Sequence, residues 1–294
     1  MDSHTIALVG ITLFAATVNG ALGYGFSSLP VPVALFFLTN RVLNPALVPI
    51  EVVLNGYVLW VNRGSVSHVW RRVMPIVITL APGVLVGTLL VSVVNPDWLK
   101  MITYVSLLPL ILLQAAGFRR PIQSERAAGY AFGSGLGVLY SMTTISGPPL
   151  AVALSNQGLA KQEFRAALGV IRLAESSMTA VAYAYAGLYS RESFALIPAI
   201  IPGLIIGVPF GAQLIRHIRP ETFRRICMSF DAWVVAFGIS GLIRTLHLAT
   251  PAASYAEFFA VVVFDLWLLY RFFFVYPRMR TSDGYNASTT TAIP

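Results

Sequence analysis

The chain contains two stretches that resemble each other, and this internal duplication limits the folds that it can adopt. Residues 96–102 read PDWLKMI and residues 220–226 read PETFRRI, so a proline, an acid, a base and an isoleucine recur at one spacing. Upstream, Glu51 corresponds to Glu175 and Gly64 to Gly187 in nearly the same register. Such a repeat predicts two copies of one structural unit that pack against each other.

The composition places both copies in a membrane. Hydrophobic residues make up 56% of the 294 and charged residues 11%, whereas about a quarter of the residues of a soluble domain are charged. We therefore predict an all-α integral membrane protein with about seven full spans and two interrupted hairpins. The net charge of +8 does not indicate nucleic-acid binding, because the bases lie in short loops. The single cysteine, Cys227, excludes an intrachain disulfide and a zinc cluster, and we expect no cofactor and no metal.

The predicted spans and the charges between them define a topology. The spans are 5–20 and 27–39 for the first hairpin, 128–140 and 148–156 for the second, and 43–62, 72–94, 98–117, 167–187, 193–214, 223–243 and 255–275. If each hairpin enters and leaves on one face, most of the bases fall in loops on one side of the membrane. The positive-inside rule makes that side cytoplasmic, which leaves the N-terminus outside and the C-terminus inside. The Gly64 loop is then inside and the Gly187 loop outside, so the two copies are inverted.

These inferences divide the chain into four segments. We expect residues 1–120 to form a first transmembrane repeat and 121–247 a second, inverted one, each with a broken Gly/Pro hairpin and three transmembrane helices. Residues 248–276 add one C-terminal transmembrane helix, and 277–294 are expected to be a disordered cytoplasmic tail. The added helix is a candidate surface for homo-oligomer formation.

Glycines followed by prolines break both hairpins at matching places. Unwound backbone at membrane depth is tolerated only against protein or a water-filled cavity, so we expect both hairpin tips to face a cavity. Free amides and hydroxyls at such tips suit an anion. The candidate binding residues of the two tips are Gly23, Tyr24, Gly25, Phe26, Ser27, Ser28, Ser141, Met142, Thr143, Thr144, Ile145, Ser146 and Gly147.

A structural interpretation competes with this one. Small residues commonly allow close helix packing in membranes, and their hydroxyls can bond back to their own helix. We favour packing for the glycines that recur at intervals of four, and the cavity for the two tips, because the break occurs in both copies. The packing glycines are Gly129, Gly133, Gly137, Gly83, Gly87, Gly203, Gly207 and Gly211.

The same features resemble a known family. The glycine-rich hairpin that ends at Pro32, the second hairpin that ends in SGPP at 146–149, the Gly64 and Gly187 turns and the Pro-Gly-x-x-x-Gly spans are similar to the TauE/SafE sulfite exporter family, also called toluene-sulfonate uptake permeases. The resemblance covers residues 5–245 and implies movement of sulfite, sulfonates or related organosulfur anions across the bacterial inner membrane. The chain departs from the family pattern by its extra C-terminal span and by fewer consecutive glycines in the first hairpin.

Ionisable residues inside predicted spans require a partner or a function. Arg172 and Glu175 lie three residues apart and share a helix face, so they form either a structural pair or an anion-binding base with an acid that tunes the site or carries a proton. Glu51 has no base nearby in sequence, which makes it a candidate for proton coupling unless a base from another helix, such as Arg172, pairs with it. Asn55, Tyr140 and Gln213 are candidates to line the cavity.

Taken together, these residues predict a secondary transporter with alternating access. The expected substrate is an organosulfur anion such as a sulfonate or sulfite, the carrier is ion- or proton-coupled, and its surroundings are the lipid bilayer of the bacterial inner membrane. The sequence has no HExxH, P-loop or CxxC motif, so we do not expect an enzyme. A carrier for a carboxylate or another small anion, and a membrane assembly protein without transport activity, remain alternatives.

Overall fold

The computed structural model describes residues 3–22, 26–27, 30–116, 125–155, 161–218 and 220–275. Within these residues the regular structure is helical throughout, as the sequence predicts. The helices are α1 Ser3–Leu22, α2 Pro30–Ala34, α3 Asn40–Val61, α4 Val66–Val93, α5 Pro96–Ala115, α6 Glu125–Thr143, α7 Gly147–Ser155, α8 Lys161–Tyr185, α9 Arg191–Leu214, α10 Pro220–Thr245 and α11 Pro251–Tyr270. A short 3₁₀ turn, Arg63–Ser65, precedes α4, and a π-helical turn, Arg271–Val275, follows α11. The predicted tail at 277–294 lies outside the described residues.

Most of the helices are long and apolar enough to cross a bilayer. In the described residues six segments meet both conditions, at Asn40–Val61, Arg63–Val93, Pro96–Ala115, Arg191–Leu214, Glu221–Thr245 and Pro251–Val275, and a shorter apolar helix covers Leu8–Ala21. The seventh predicted full span is α8, which is 25 residues long but includes Arg172, Glu175 and several other polar residues. The chain is therefore an all-α membrane protein whose most polar long helix carries two of the ionisable residues predicted at depth, Arg172 and Glu175, while Glu51 lies in α3.

The two hairpins differ in the length of their second arm. In the second hairpin, α6 and α7 match the predicted segments closely. In the first, the segment predicted at 27–39 was too long, because helix α2 covers only Pro30–Ala34. Beyond it, Phe36 N and Phe37 N bond to carbonyls three residues back rather than four, and the chain turns toward α3. The consequence is a shorter apolar arm in the first hairpin.

Glycines bring each hairpin into close contact with a long helix of the other half of the chain. Helix α4 packs along α6, and α9 packs along α1. A Cβ added at Gly83 would clash with the Ser134 carbonyl, and one added at Gly211 would clash with the Thr17 carbonyl. The opposite surfaces carry Gly133 and Gly20, where a Cβ would again meet the partner helix. The predicted packing role is thereby confirmed for Gly83, Gly133 and Gly211, since only a residue without a side chain allows backbones this close.

Helices α3 and α8 lie between these pairs and contact each other, while α5 contacts α10. One end of α3 is fixed to α4, because Arg41 Nε donates to Val91 O at 2.7 Å and its Nη2 donates to Ser92 O at 2.6 Å and Val94 O at 3.0 Å. Arg41 therefore binds the last carbonyls of α4, which have no intrahelical partner.

Helix α11 attaches to the rest of the protein through α10. Arg225 Nη2 donates to Asp265 Oδ1 at 2.8 Å, and Trp233 Nε1 donates to Asp265 Oδ2 at 3.1 Å. Asp265 thus binds α11 to α10 within one chain. Oligomer formation through α11 remains a prediction.

Candidate functional site

Glu51 is the centre of a buried polar cluster in the middle of α3. Its side chain is fully buried and accepts hydrogen bonds from three residues of different elements. Ser27 at the first hairpin tip donates to Oε1, Tyr140 Oη of α6 donates to Oε2 at 2.6 Å, and Arg172 Nη2 of α8 lies 3.3 Å from Oε1. The carboxylate therefore joins the first tip, the second hairpin and the central helix α8.

Glu175 holds the equivalent place for the second tip. It is fully buried, and its Oε2 accepts from Ser146 Oγ at 2.6 Å. Its Oε1 has no hydrogen-bond partner among the described residues. The base three residues earlier on the same helix, Arg172, forms its ion pair across to Glu51. Arg172 is therefore the partner of Glu51 in this conformation, the base from another helix that the sequence analysis named for it.

The two tips are built alike at their serines. Each tip serine donates its hydroxyl to the glutamate of its own half, and its carbonyl accepts from a backbone amide four residues later: Val31 N to Ser27 O, and Leu150 N to Ser146 O, both at 3.1 Å. The neighbouring apolar residues, Phe26 and Ile145, belong to one buried hydrophobic cluster. Both tips therefore lie in the buried interior of the protein.

The other hydroxyls of the second tip are used within the protein. Ser141 Oγ lies 3.3 Å from Thr179 Oγ1, and Thr144 Oγ1 donates to Thr143 O at 2.7 Å. Thr143 Oγ1 donates to Leu139 O and accepts from Ile145 N at 3.0 Å. The backbone of Thr144 has φ of 57°, which is in the left-handed region that residues other than glycine rarely adopt. In this conformation these hydroxyls therefore do not all point to a solute. For Thr143 and Thr144 the structural interpretation holds, in which the hydroxyl bonds to nearby backbone.

Further polar residues of the long helices support the tips. Asn40 and Asn44 of α3 donate to Met142 O at 3.1 and 2.6 Å, and Tyr183 of α8 donates to Ser141 O. On the other side, Tyr104 of α5 donates to Pro32 O at 2.8 Å. These bonds satisfy carbonyls that the helix breaks leave open. Their only sequence signal is a polar residue within an apolar span.

The remaining candidates divide into three groups. Asn55 and Gly147 are buried, and Asn55 Nδ2 lies 3.4 Å from the Arg172 carbonyl. Gln213, predicted to line a cavity, is exposed at the end of α9 and lies outside the polar cluster, because α9 turns its glycine face rather than this residue toward the interior. Gly23, Tyr24, Gly25 and Ser28 lie outside the described residues.

The cluster has one base for two acids. Arg172 has 4% of its surface exposed, and its Nε has no hydrogen-bond partner among the described residues. A guanidinium with an open donor can bind an oxyanion through two parallel hydrogen bonds. An anion that used the full face of Arg172 would compete with Glu51 for it.

Comparison with known proteins identifies the family. The family model described as Sulfite exporter TauE/SafE matches residues 8–239. The chain belongs to the TauE/SafE family. A probable sulfite/organosulfonate exporter TauE of Cupriavidus necator is 27% identical over 202 residues, which cover 65% of this chain and 73% of that protein. No solved structure matches the chain.

Membership confirms the resemblance that the hairpins and turns suggested. The family consists of multi-pass membrane transporters and not of enzymes, as the sequence analysis expected. The chain is thus a transmembrane transporter, and the Glu51 and Glu175 cluster is the buried polar centre of that transporter.

Proposed function

We propose that this protein moves an organosulfur anion, such as a sulfonate or sulfite, across the bacterial inner membrane by alternating access. The observation that carries the proposal is the buried cluster in which Arg172 meets Glu51 and each hairpin tip contributes a serine. A charged pair within a membrane domain is costly and marks a substrate or ion pathway in most transporters. The related protein of Cupriavidus necator is named as a probable sulfite/organosulfonate exporter, which agrees with an anion that Arg172 can bind.

The contacts between helices support two repeats that rock against each other. When the two halves are compared in chain order, α1 corresponds to α6 and α4 to α9. The close packing of α4 against α6 therefore corresponds to that of α9 against α1. The same correspondence relates α5 to α10 and α3 to α8. In each of these two pairs the helices contact each other directly. We assign residues 1–120 and 121–247 to the two repeats, with inverted orientation and with the site between them.

The tips and the charged cluster together form the proposed substrate site. Arg172 binds the anionic head, the tip segments 23–28 and 141–147 surround it, and Asn55 and Tyr140 lie beside it. Glu51 and Glu175 couple transport to a proton or tune the site. The oxygen atoms of a sulfonate can accept parallel hydrogen bonds from the planar donors of a guanidinium. These hydrogen bonds offset the loss of the water that hydrates the sulfonate in solution.

Counterflow in proteoliposomes tests this function directly. Vesicles that contain purified protein and unlabelled sulfonate should accumulate labelled sulfonate, and sulfite should compete. The R172A variant should lose this accumulation, whereas R172K should retain part of it because the charge remains. Equal counterflow in wild-type and R172A vesicles, or none for any sulfonate or sulfite in wild-type vesicles, would contradict the proposal.

One observation favours a second substrate class. The guanidinium of Arg172 already binds a carboxylate, that of Glu51, so the site accepts the planar geometry of a carboxylate ligand. A carrier for small carboxylates therefore remains a candidate. Thermal stability of the detergent-solubilised protein, measured with methanesulfonate, sulfite, acetate and succinate in turn, separates the two: the true substrate class raises the unfolding temperature.

The proposed topology is testable on its own. With the N-terminus outside and the C-terminus cytoplasmic, alkaline phosphatase fused after Pro294 should be inactive and a fluorescent protein fused there should mature. The reverse pattern would contradict the proposed orientation and would leave the substrate site unaffected.

A further inference from the structure

Glu51 occupies the place at Arg172 that a substrate anion requires. Its Oε1 lies 3.3 Å from Arg172 Nη2, and both side chains are almost fully buried. One edge of a guanidinium binds one oxyanion bidentately. Glu51 contacts the edge formed by Nη2 and the open Nε, so an incoming anion that binds this edge through both nitrogens competes with Glu51 for Nη2.

We infer that Glu51 acts as an internal substitute for the substrate: the anion displaces the Glu51 carboxylate from Arg172, and Glu51 takes up one proton as it leaves. This inference rests on the proposed function, and it adds to it the identity of the proton carrier and the reason for the coupling. The proton comes from the aqueous side that is open to the site, and each binding event takes up one.

Charge balance is the reason for the proton. Before binding, Glu51 and Arg172 cancel each other; with the anion on Arg172, an ionised Glu51 would be a buried charge without its cation. Leaving one member of a buried ion pair uncompensated is strongly unfavourable. Protonation removes this charge, so the site has the same net charge with the substrate as without it.

The neighbours of Glu51 can accommodate both of its states. Ser27 and Tyr140 donate to the two oxygens of the carboxylate. A hydroxyl can either donate or accept, so Ser27 can turn to accept from the protonated carboxyl while Tyr140 continues to donate. The neutral acid is then satisfied without a change in the backbone.

Among the described residues, three titratable groups interact electrostatically with Glu51. They are Tyr140 on α6, and Arg172 and Glu175 on α8. Tyr140 is a donor in the cluster, and Glu175 accepts from Ser146 without a hydrogen bond to the guanidinium. Of the two acids, Glu51 is the one whose departure frees Arg172, and this geometry distinguishes its role from that of Glu175.

Calorimetric titration of the full-length protein with methanesulfonate or p-toluenesulfonate, in two buffers of different ionisation enthalpy, counts the protons that accompany binding. Sulfonates keep their charge at all working pH values, so any proton belongs to the protein. We expect one proton taken up per sulfonate in the wild type, and an affinity that weakens about tenfold for each unit of pH increase.

The matched variants are E51Q and E175Q. E51Q should bind the sulfonate without proton uptake, with an affinity independent of pH and higher than that of the wild type at alkaline pH. E175Q should still take up one proton. Sulfonate binding by the wild type with no proton, or proton uptake that persists in E51Q and disappears in E175Q, would overturn the inference while the proposed function stands.

The wild-type measurement does not require either variant to fold, so the proton count remains decisive if E51Q is unstable. If the wild type binds no sulfonate and no sulfite, the proposed function itself fails, and this inference fails with it. The two failures are distinguishable, because the first leaves binding intact and the second removes it.

Discussion

The two halves of the site share a scaffold and differ in charge. In both, a hairpin-tip serine donates to a buried glutamate on the following long helix. Three residues before Glu175 stands Arg172, whereas three residues before Glu51 stands Val48. The second half thus supplies the only base of the described cluster, and this base crosses to the glutamate of the first half. The comparison shows that the same serine–glutamate contact occurs at both tips, whereas the base of the cluster comes from one half alone.

Removal of Arg172 should have the largest effect on this asymmetric arrangement. R172A leaves Glu51 as a buried charge with neutral donors only, which costs about 3–5 kcal/mol of stability. We also expect transport to fall at least about a hundredfold, since a charge-assisted contact to the substrate is lost. Flux measurements and thermal unfolding in detergent test both effects.

The double variant R172A/E51Q provides the control for that experiment. It removes both charges, so most of the stability should return while transport stays absent. If transport returned with stability, Arg172 would be a structural residue and the comparison between the halves would lose its functional meaning.

Side chains introduced into the glycine contacts test the shared scaffold. G83A in α4 and G211A in α9 each push a methyl group into a backbone carbonyl of the partner hairpin, Ser134 and Thr17 respectively. Each should destabilise the protein by about 1–3 kcal/mol, and by similar amounts in the two halves. Thermal unfolding of the two variants gives the comparison.

Gly10 and Gly135 are the matched controls for these contacts, because a Cβ there meets nothing within 4 Å. G10A and G135A should leave stability unchanged or slightly higher, as alanine favours helix. A large loss in only one of G83A and G211A would show that the halves do not share their packing.

Removal of the two tip serine hydroxyls should destabilise the protein to different extents. S146A leaves Glu175 with no described donor, which costs about 1–3 kcal/mol, whereas S27A leaves Glu51 with Tyr140 and Arg172 and costs about 1 kcal/mol. Unfolding temperatures should therefore fall further for S146A. The opposite order would mean that Ser27 is the more important donor and that the first tip depends on it.

Gln213 should give the smallest effect. It is exposed at the end of α9, so Q213A should change stability by less than about 0.5 kcal/mol and leave counterflow at the wild-type level. A marked loss of transport in this variant would place the exposed end of α9 in the substrate path.

The sequence predicted the helices and their glycine contacts well, because both follow from local patterns. An apolar run long enough for a bilayer specifies a span, and glycines at intervals of four specify a contact face. Short α2 was overestimated, since apolar residues continue after its helical turn ends.

The partners within the site were harder to predict. Arg172 and Glu51 are 121 positions apart, and spacing alone favoured Glu175 as the partner. The support of the second tip by Asn40, Asn44 and Tyr183 could not be predicted either, because a lone polar residue in a span does not indicate which break it faces. These contacts depend on how the halves assemble, which no local pattern encodes.

Arg41 has one more consequence, which concerns the proposed alternating-access motion. Its three hydrogen bonds bind the start of α3 to the end of α4. Arg165, which stands ten residues before Glu175 as Arg41 does before Glu51, is exposed. The start of α3 is therefore bound to the end of α4, and any motion that separates these two ends requires the three hydrogen bonds of Arg41 to break.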